Sequence, residues 1–418
     1  MHCNKEDNNN MSQPNLDVIY LDYAATCPID ERVLEQMLPW LKENFGNPAS
    51  TSHAYGWQAE EAVERARAQV ASAMGAQPRE VIFTSGATES NNLAIKGYAL
   101  AQAHRGKHLI TVQTEHKAVL DPCAALEAQG FEVTYLPVDA DGLIDLQALE
   151  DAIRPDTVLV SVMYVNNEIG VIQPVQQIAE ICQAHGVAYH MDAVQAAGKL
   201  DIDVQQLPVD LISVSAHKVY GPKGVGALYV RRRPKMRLQP LIHGGGQELG
   251  YRSGTLPTHQ IVGMGAAFEL AQQLQETEVA RIRALQQQFL EGLATIPALY
   301  LNGSLTQRVP HNINISVDYV QGEALLLALQ HIAVSSGSAC TSAVLEPSHV
   351  ITALGRPEHL AHSALRITLG RFTTSEQVDQ ALHELHTQIA RLRDLSPLWH
   401  DACRNQAEMP NLHKVLVS

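Results

Sequence analysis

The chain has 418 residues, 45% apolar and 18% charged, which is long enough for a large domain with a smaller one beside it and excludes a single small module. Its net charge of −14 argues against general nucleic-acid binding, and no apolar run approaches the roughly 20 residues that span a bilayer. The cysteines at 3, 27, 123, 182, 340 and 403 form no C-x-x-C and the histidines form no H-E-x-x-H, so neither a disulfide framework nor a metal site is expected, and a reducing, cytoplasmic setting fits.

Met1 to Asp17 is polar and Asn-rich with no apolar core and is expected to be a disordered leader. From Glu31 to Leu270, helical stretches alternate with short β-branched or apolar runs. Trp57 to Met74 sets Glu60, Glu61 and Glu64 against Arg65 and Arg67 and stops near Gly75, as a helix does. Val81–Thr84, His108–Thr111, Val158–Val162, Val187–Met191, Leu211–Val214 and Gly226–Val230 read as strands. They lack polar alternation, so both faces of their sheet should be covered, which gives an α/β fold with a mostly parallel sheet flanked by helices. After about Glu276 the pattern changes to a helix over Glu278–Leu293, an alternating strand over His311–Val317, another helix and a last helix over Ser375–Leu395, the outline of a smaller α+β domain.

Lys218 ends the run Ser215-Ala216-His217-Lys218, 26 positions after Asp192, with the turn Gly221-Pro222-Lys223-Gly224 directly behind it. An amine, a carboxylate closing an apolar run and hydroxyl or imidazole donors are what pyridoxal phosphate requires: a Schiff base, a partner for the pyridine nitrogen and a phosphate seat. Taken singly, Asp192 reads equally as a helix cap and Lys218 as a solvated lysine; together with their flanks they favour the cofactor.

The turn Thr84-Ser85-Gly86-Ala87-Thr88-Glu89-Ser90 lies between a strand and a helix and can cradle a phosphate or serve only as a cap. His116 follows another strand, where an imidazole can stack on a pyridine ring and move protons. Asn167 can reach a substrate carboxylate or the ring 3-oxygen, Gln195 the same oxygen, and either can be a loop fastener. Ser335 to Ala343 is made of small and hydroxylic residues around Cys340, which suits a mobile loop delivering a nucleophile or a small-residue helix start with a buried thiol. Arg231, Arg232, Arg233, Lys235 and Arg237 form a basic cluster that suits an acidic protein partner or a solvated surface.

These residues resemble one family, the cysteine desulfurases of the housekeeping iron–sulfur-cluster type, which are class-V aminotransferases among the fold-type I pyridoxal phosphate enzymes. The resemblance runs from Tyr20-Leu21-Asp22-Tyr23-Ala24-Ala25-Thr26 through Phe45-Gly46-Asn47-Pro48, Thr84–Ser90, Asn166–Gly170, Ser215–Gly224, Arg252-Ser253-Gly254-Thr255 and Ser335–Ser342 to Gly370-Arg371-Phe372-Thr373-Thr374. It implies a large domain with a seven-stranded sheet over 28–276, and a small domain of 18–27 and 277–418 carrying a mobile cysteine loop at 335–345. By the same resemblance Lys218 forms the Schiff base, Asp192 pairs the ring nitrogen, His116 stacks on the ring and Gln195 bonds the 3-oxygen. Ala87, Thr88, Ser215 and His217 seat the phosphate, with the partner subunit's Thr255 reaching in across a homodimer. Asn167 and Arg366 bind the substrate carboxylate. The implied reaction takes sulfur from L-cysteine onto Cys340 as a persulfide and releases alanine, with Lys218 and His116 moving protons. Iron–sulfur scaffold, sulfur-relay and tRNA-thiolation proteins are the implied acceptors, and an acidic ferredoxin- or frataxin-like protein is implied at Arg231–Arg237. The long leader, Cys27 and the tail Asp401–Ser418 depart from the family pattern.

Overall fold

The computed structural model describes residues 18–232, 236–336 and 347–405. Seven strands form the main sheet, in the spatial order Val81–Thr84, Gly226–Val230, Leu211–Ser215, Ala188–Asp192, Thr157–Ser161, His108–Val112, Glu132–Leu136. All pairings are parallel except those of Gly226–Val230, which runs antiparallel to both its neighbours. Every strand but the edge strand Glu132–Leu136 is buried along its whole length, because apolar clusters cover both faces: Met191, Ile212 and Tyr229 pack on one side, Leu159, Leu211 and Leu228 on the other.

Two buried histidines tie neighbouring strands through their side chains. His190 lies between the hydroxyls of Ser161 (2.8 Å) and Ser213 (3.0 Å), and His108 between those of Thr157 (2.7 Å) and Thr134 (2.9 Å). Burial pushes the His190 imidazole down to about 3, so it is a neutral fastener.

The helix expected over Glu278–Leu293 is the second half of one 36-residue helix, Thr258–Leu293. Gly263 and Gly265, which lower helix propensity, are kept because a side chain there would strike Met37 (2.5 Å to Sδ) and Ala66 (2.7 Å to Cα) on the helices Glu31–Lys42 and Ala54–Ser72. Between Ala271 and Ile282 no residue of the long helix is buried. Before that stretch its apolar face joins the main-sheet core; after it, Ile282, Leu285, Phe289 and Leu293 join a second core.

That second core lies against an antiparallel sheet in which Asn312–Val317 is central between Leu299–Leu301 and Ala364–Thr368. The polar alternation of Asn312–Val317 does not mark an exposed face, since all six residues are buried. Asn302 Nδ2 donates to Asn314 Oδ1 and Ser316 Oγ, both at 2.8 Å, while Asn314 Nδ2 donates to the backbone oxygen of Glu168 at 3.0 Å. The polar face is thus covered by the turn that follows strand Thr157–Ser161. The N-terminal segment joins the same region: Ile19–Tyr20 pairs with Ile332–Ala333, and Leu21 enters the second core.

Candidate active site

The parallel strands deliver their C-terminal ends to one place, where α/β sheets hold ligands. Asp192 is the last residue of Ala188–Asp192, and Ser215 the last of Leu211–Ser215. One tight turn, Ala216–Lys218, then aims Lys218 back over the sheet edge. Gly226, opposite Ser215, has no room for a side chain: a Cβ would lie 2.7 Å from the Gly86 backbone and 2.8 Å from the Val214 oxygen. This close approach brings the turn of Ser85–Thr88 beside Ser215. Tyr220, two residues past Lys218, takes a left-handed φ of 64° that a non-glycine residue adopts only when held. The hold is visible: its hydroxyl accepts from the Arg371 backbone N–H at 2.5 Å, and the Arg371 guanidinium lies 4.0 Å over its ring.

A cavity of about 420 Å³ results. Ala87, Thr88, His116, Asn167, Asp192, Gln195, Ser215, His217, Lys218 and Arg366 all line it. Thr255 does not; it lies on a separate cavity of about 640 Å³ with Asn47, Pro48, Arg67 and Leu249. Cys340 and most of its loop lie outside the described residues.

Lys218 Nζ donates to the backbone oxygens of Ala24 (2.5 Å) and Ala25 (2.6 Å). Asp192 Oδ2 accepts from Asn91 Nδ2 at 2.7 Å and Oδ1 from the Val194 backbone at 3.0 Å, which fixes the carboxylate plane. Gln195 Nε2 donates to the Ala24 oxygen at 3.0 Å. His116 caps the helix Lys117–Glu127, its Nδ1 accepting from the Ala118 backbone at 3.0 Å, so the neutral ring carries its proton on Nε2. Burial lowers the proton affinity of His116; the charge of Asp192 opposes this and that of Lys218 adds to it. His217 bonds Thr26 Oγ1 at 3.1 Å and is pushed down to about 4 by burial and then by Lys218.

Arg366, 2% exposed, donates through Nη2 to Asp22 Oδ1 at 2.7 Å and through Nη1 to the Asn167 backbone oxygen at 3.1 Å. Asn166 secures that turn, accepting from the Glu168 and Ile169 backbones at 2.9 and 3.0 Å and donating to the Thr114 oxygen at 2.8 Å.

Sequence reasoning missed three contributors. Asn91 orients Asp192 from one turn past Thr88, a position a helical period from the phosphate turn could have suggested. Glu115, fully buried, accepts from the Met163 backbone at 2.5 Å, and burial, then the charge of Asp192, raises its carboxyl well above the usual range. Asp22, quoted only as part of a motif, pairs Arg366. The basic cluster also needs correcting: Arg231 is not free for a partner, because its guanidinium donates to the backbone oxygens of Val204, Leu207 and Val209 at 2.7 to 2.9 Å. Arg233 and Lys235 lie outside the described residues, while Arg232 and Arg237 are exposed beside Arg79 around a cavity of about 500 Å³.

The donor set fits pyridoxal phosphate. Buried polar atoms of a folded protein are normally paired, yet Gln195 Oε1, Asn91 Oδ1 and Arg366 Nε, around this cavity, are buried without partners among the described residues. The Asp192 carboxyl group, fixed by Asn91 and the Val194 backbone, can meet a pyridinium N–H, and the Ser85–Thr88 turn with Ser215 and His217 can receive a phosphate. Among the described residues no cluster of His, Cys, Asp or Glu could hold a metal ion.

The family model for aminotransferase class-V matches residues 19–381. A protein of Methylococcus capsulatus named cysteine desulfurase IscS is 62% identical over 381 residues, covering 91% of this chain and 94% of its own. Among solved structures, a NifS-like protein superposes with a TM-score of 0.84 at 38% identity, covering 90% of this chain and all of its own. A structure titled SspA in complex with cysteine superposes with a TM-score of 0.76 at 42% identity, over 85% of this chain and all of that one. With its lysine, carboxylate and phosphate turn disposed around one cavity and these likenesses spanning most of its length, the chain belongs to the aminotransferase class-V family, among its cysteine desulfurases.

Proposed function

We propose that this site removes sulfur from L-cysteine, releasing L-alanine and leaving the sulfur as a persulfide on Cys340. The observation that carries this reading is the convergence of Lys218, Asp192 and Arg366 on one cavity, an amine and a carboxylate from neighbouring strand ends and a guanidinium from far along the chain. Pyridoxal phosphate, when bound, supplies an electron sink for charge developing at the substrate α-carbon. Asp192 holds the ring nitrogen, and Thr88, Ser215 and His217, with the backbone at Ala87, hold the phosphate. Gln195 addresses the ring oxygen. Arg366, with Asn167 beside it, receives the α-carboxylate, whose planar geometry a guanidinium fork matches. Lys218 Nζ takes the α-proton, and His116 Nε2 carries the proton that returns to carbon. Cys340 thiolate takes the sulfur: the substrate C–S bond breaks as the S–S bond forms, and protonation of the carbon gives alanine.

The three buried cysteines among the described residues suit this role less well. Burial raises the thiols of Cys27, Cys123 and Cys182, the latter two to about 12, which keeps them protonated and unreactive. We further assign residues 28–276 to the cofactor-binding domain and 18–27 with 277–418 to the domain that carries the 335–345 loop. The enzyme works as a homodimer in which the partner's Thr255 completes the phosphate seat. Its persulfide passes to iron–sulfur scaffold, sulfur-relay and tRNA-thiolation proteins in the cytoplasm, with Arg232 and Arg237 facing an acidic frataxin- or ferredoxin-like protein. No helix among the described residues is long and apolar enough to cross a membrane.

The test is to incubate the cofactor-loaded protein with L-cysteine and a reductant and to assay sulfide and alanine. Equal yields that vanish in Cys340→Ala support the reading. Alanine release that persists without Cys340, or transamination in place of desulfuration, would overturn it.

A further inference from the structure

A guanidinium stripped of water must be compensated by its surroundings. For Arg366 the ion-pairing carboxylate among the described residues is Asp22, at 2.7 Å from Nη2. Nη1 is taken by the Asn167 backbone oxygen, and Nε is buried without a partner among the described residues. Asp22 is fixed independently of this pair. It forms a backbone bridge with Thr368, two residues along the strand from Arg366, and the Leu21 oxygen accepts from the Thr368 N–H at 2.7 Å. The Tyr20 hydroxyl donates to the backbone oxygens of Asp22 (3.0 Å) and Thr26 (2.9 Å), bracing the segment from the other side. A braced carboxylate therefore grips the one buried guanidinium that lines this cavity among the described residues.

We propose that Asp22 is a positioning residue for carboxylate recognition: it aims Arg366 and keeps a counter-charge beside it, so that an α-carboxylate is bound reversibly and the product can leave. The inference rests on the proposed role of Arg366 in holding that carboxylate. Two anions then share one cation. The incoming carboxylate finds Arg366 correctly oriented but already partly neutralised, and it meets the charge of Asp22 across the guanidinium. Without that charge the carboxylate would become the main compensation for a buried cation that otherwise feels, among the described residues, only the more distant Glu168 carboxyl. Its residence would lengthen, which slows turnover instead of helping it.

L-Alanine carries the α-carboxylate and has no sulfur to transfer, so its dissociation constant on the holoenzyme, measured by calorimetry, reads the effect directly. Asp22→Asn keeps an oxygen acceptor for Nη2 and removes the charge. It is expected to tighten L-alanine binding roughly tenfold, from the Coulomb interaction of charges a few ångströms apart at an intermediate dielectric. KM for L-cysteine falls in parallel and kcat does not rise. In an Arg366→Gln background the same substitution changes nothing. Asp22→Glu, which keeps the charge but displaces it by a methylene, weakens binding; Asp22→Ser, which removes the charge and keeps a hydroxyl acceptor, tightens binding as Asn does and carries the test if the Asn variant does not fold. Unchanged or weaker L-alanine binding in Asp22→Asn, tighter binding in Asp22→Glu, or a tightening that persists without Arg366 would overturn the inference. A purely structural Asp22 would weaken binding in each of these variants. Should the wild-type holoenzyme fail to desulfurate L-cysteine, the functional reading itself falls; if it desulfurates and Asp22→Asn binds L-alanine as wild type does, the role of Asp22 alone is lost.

Discussion

Two carboxyl groups, Asp192 and Glu115, lie close enough to repel each other beside the cavity, and the cofactor's ring nitrogen needs one of them ionised. The structure separates them by environment. Asp192 takes two hydrogen bonds, whereas Glu115 is fully buried with one oxygen unpartnered among the described residues, and burial, then the Asp192 charge, raises its carboxyl well above the usual range. Glu115 therefore keeps its proton to a higher pH in the folded chain than in the unfolded one. In the unfolded chain it ionises near the ordinary glutamate value of about 4.3, so between that pH and its folded pKa the native state binds the extra proton. The sign follows: this group's contribution is fully present at low pH and is lost as pH rises, at about 1.4 kcal/mol per pH unit. Glu115→Gln replaces a neutral carboxyl by a neutral amide of the same shape whose oxygen can still accept from the Met163 N–H. The amide does not titrate, so the variant should gain on wild type by about 1.4 kcal/mol for each pH unit above about 4.3 until the folded pKa is reached. Urea unfolding at pH 5, 6 and 7, with the cofactor concentration held fixed, measures this difference. A gap that does not change with pH, or a variant progressively destabilised as pH rises, would show that Glu115 is ionised in the fold and refute the reasoning.

Three other outcomes are expected. His116→Gln, which removes the Nε2 proton carrier, should lower kcat by roughly 10²–10⁴-fold, and the wild-type acid limb that depends on His116 should fall below the ordinary imidazole value of about 6.5 because burial lowers its proton affinity. Arg366→Lys cannot reproduce the fork and should raise KM for L-cysteine by roughly 10- to 100-fold in initial-rate assays. Glu248→Gln breaks a buried two-point pair, Arg67 Nη1 and Nη2 to the two carboxylate oxygens at 2.7 and 2.8 Å, and should cost about 3–5 kcal/mol in urea unfolding.

Six strands of the main sheet were legible because they are buried on both faces and so appear as uninterrupted apolar runs, whereas the partly exposed edge strand Glu132–Leu136 lacks that signal. The cavity was legible through local motifs: Lys218 with its glycine turn, Asp192 at a strand end, the Thr84–Ser90 turn. What the sequence concealed depends on distant chain segments meeting. Nothing near Glu115 in sequence says that Asp192 will raise its carboxyl, and nothing near Asp22 says that Arg366 will pair with it across more than three hundred residues. The alternation of 312–317 resembled a half-exposed strand because polar packing against the 166–170 turn leaves the same pattern as solvent. The helix from Thr258 appeared to begin at Glu278 because its first half presents small residues, Gly263 and Gly265 among them, to close-packed neighbours.

The most direct test of the account is to expose the cofactor-loaded protein to L-cysteine without reductant, trap thiols by alkylation, and map the position of any added sulfur by mass spectrometry in wild type and Lys218→Ala. One extra sulfur on Cys340 in wild type, and none in the variant, is the predicted result. Sulfur carried on Cys27 or another cysteine in its place, or on Cys340 equally without Lys218, would contradict it.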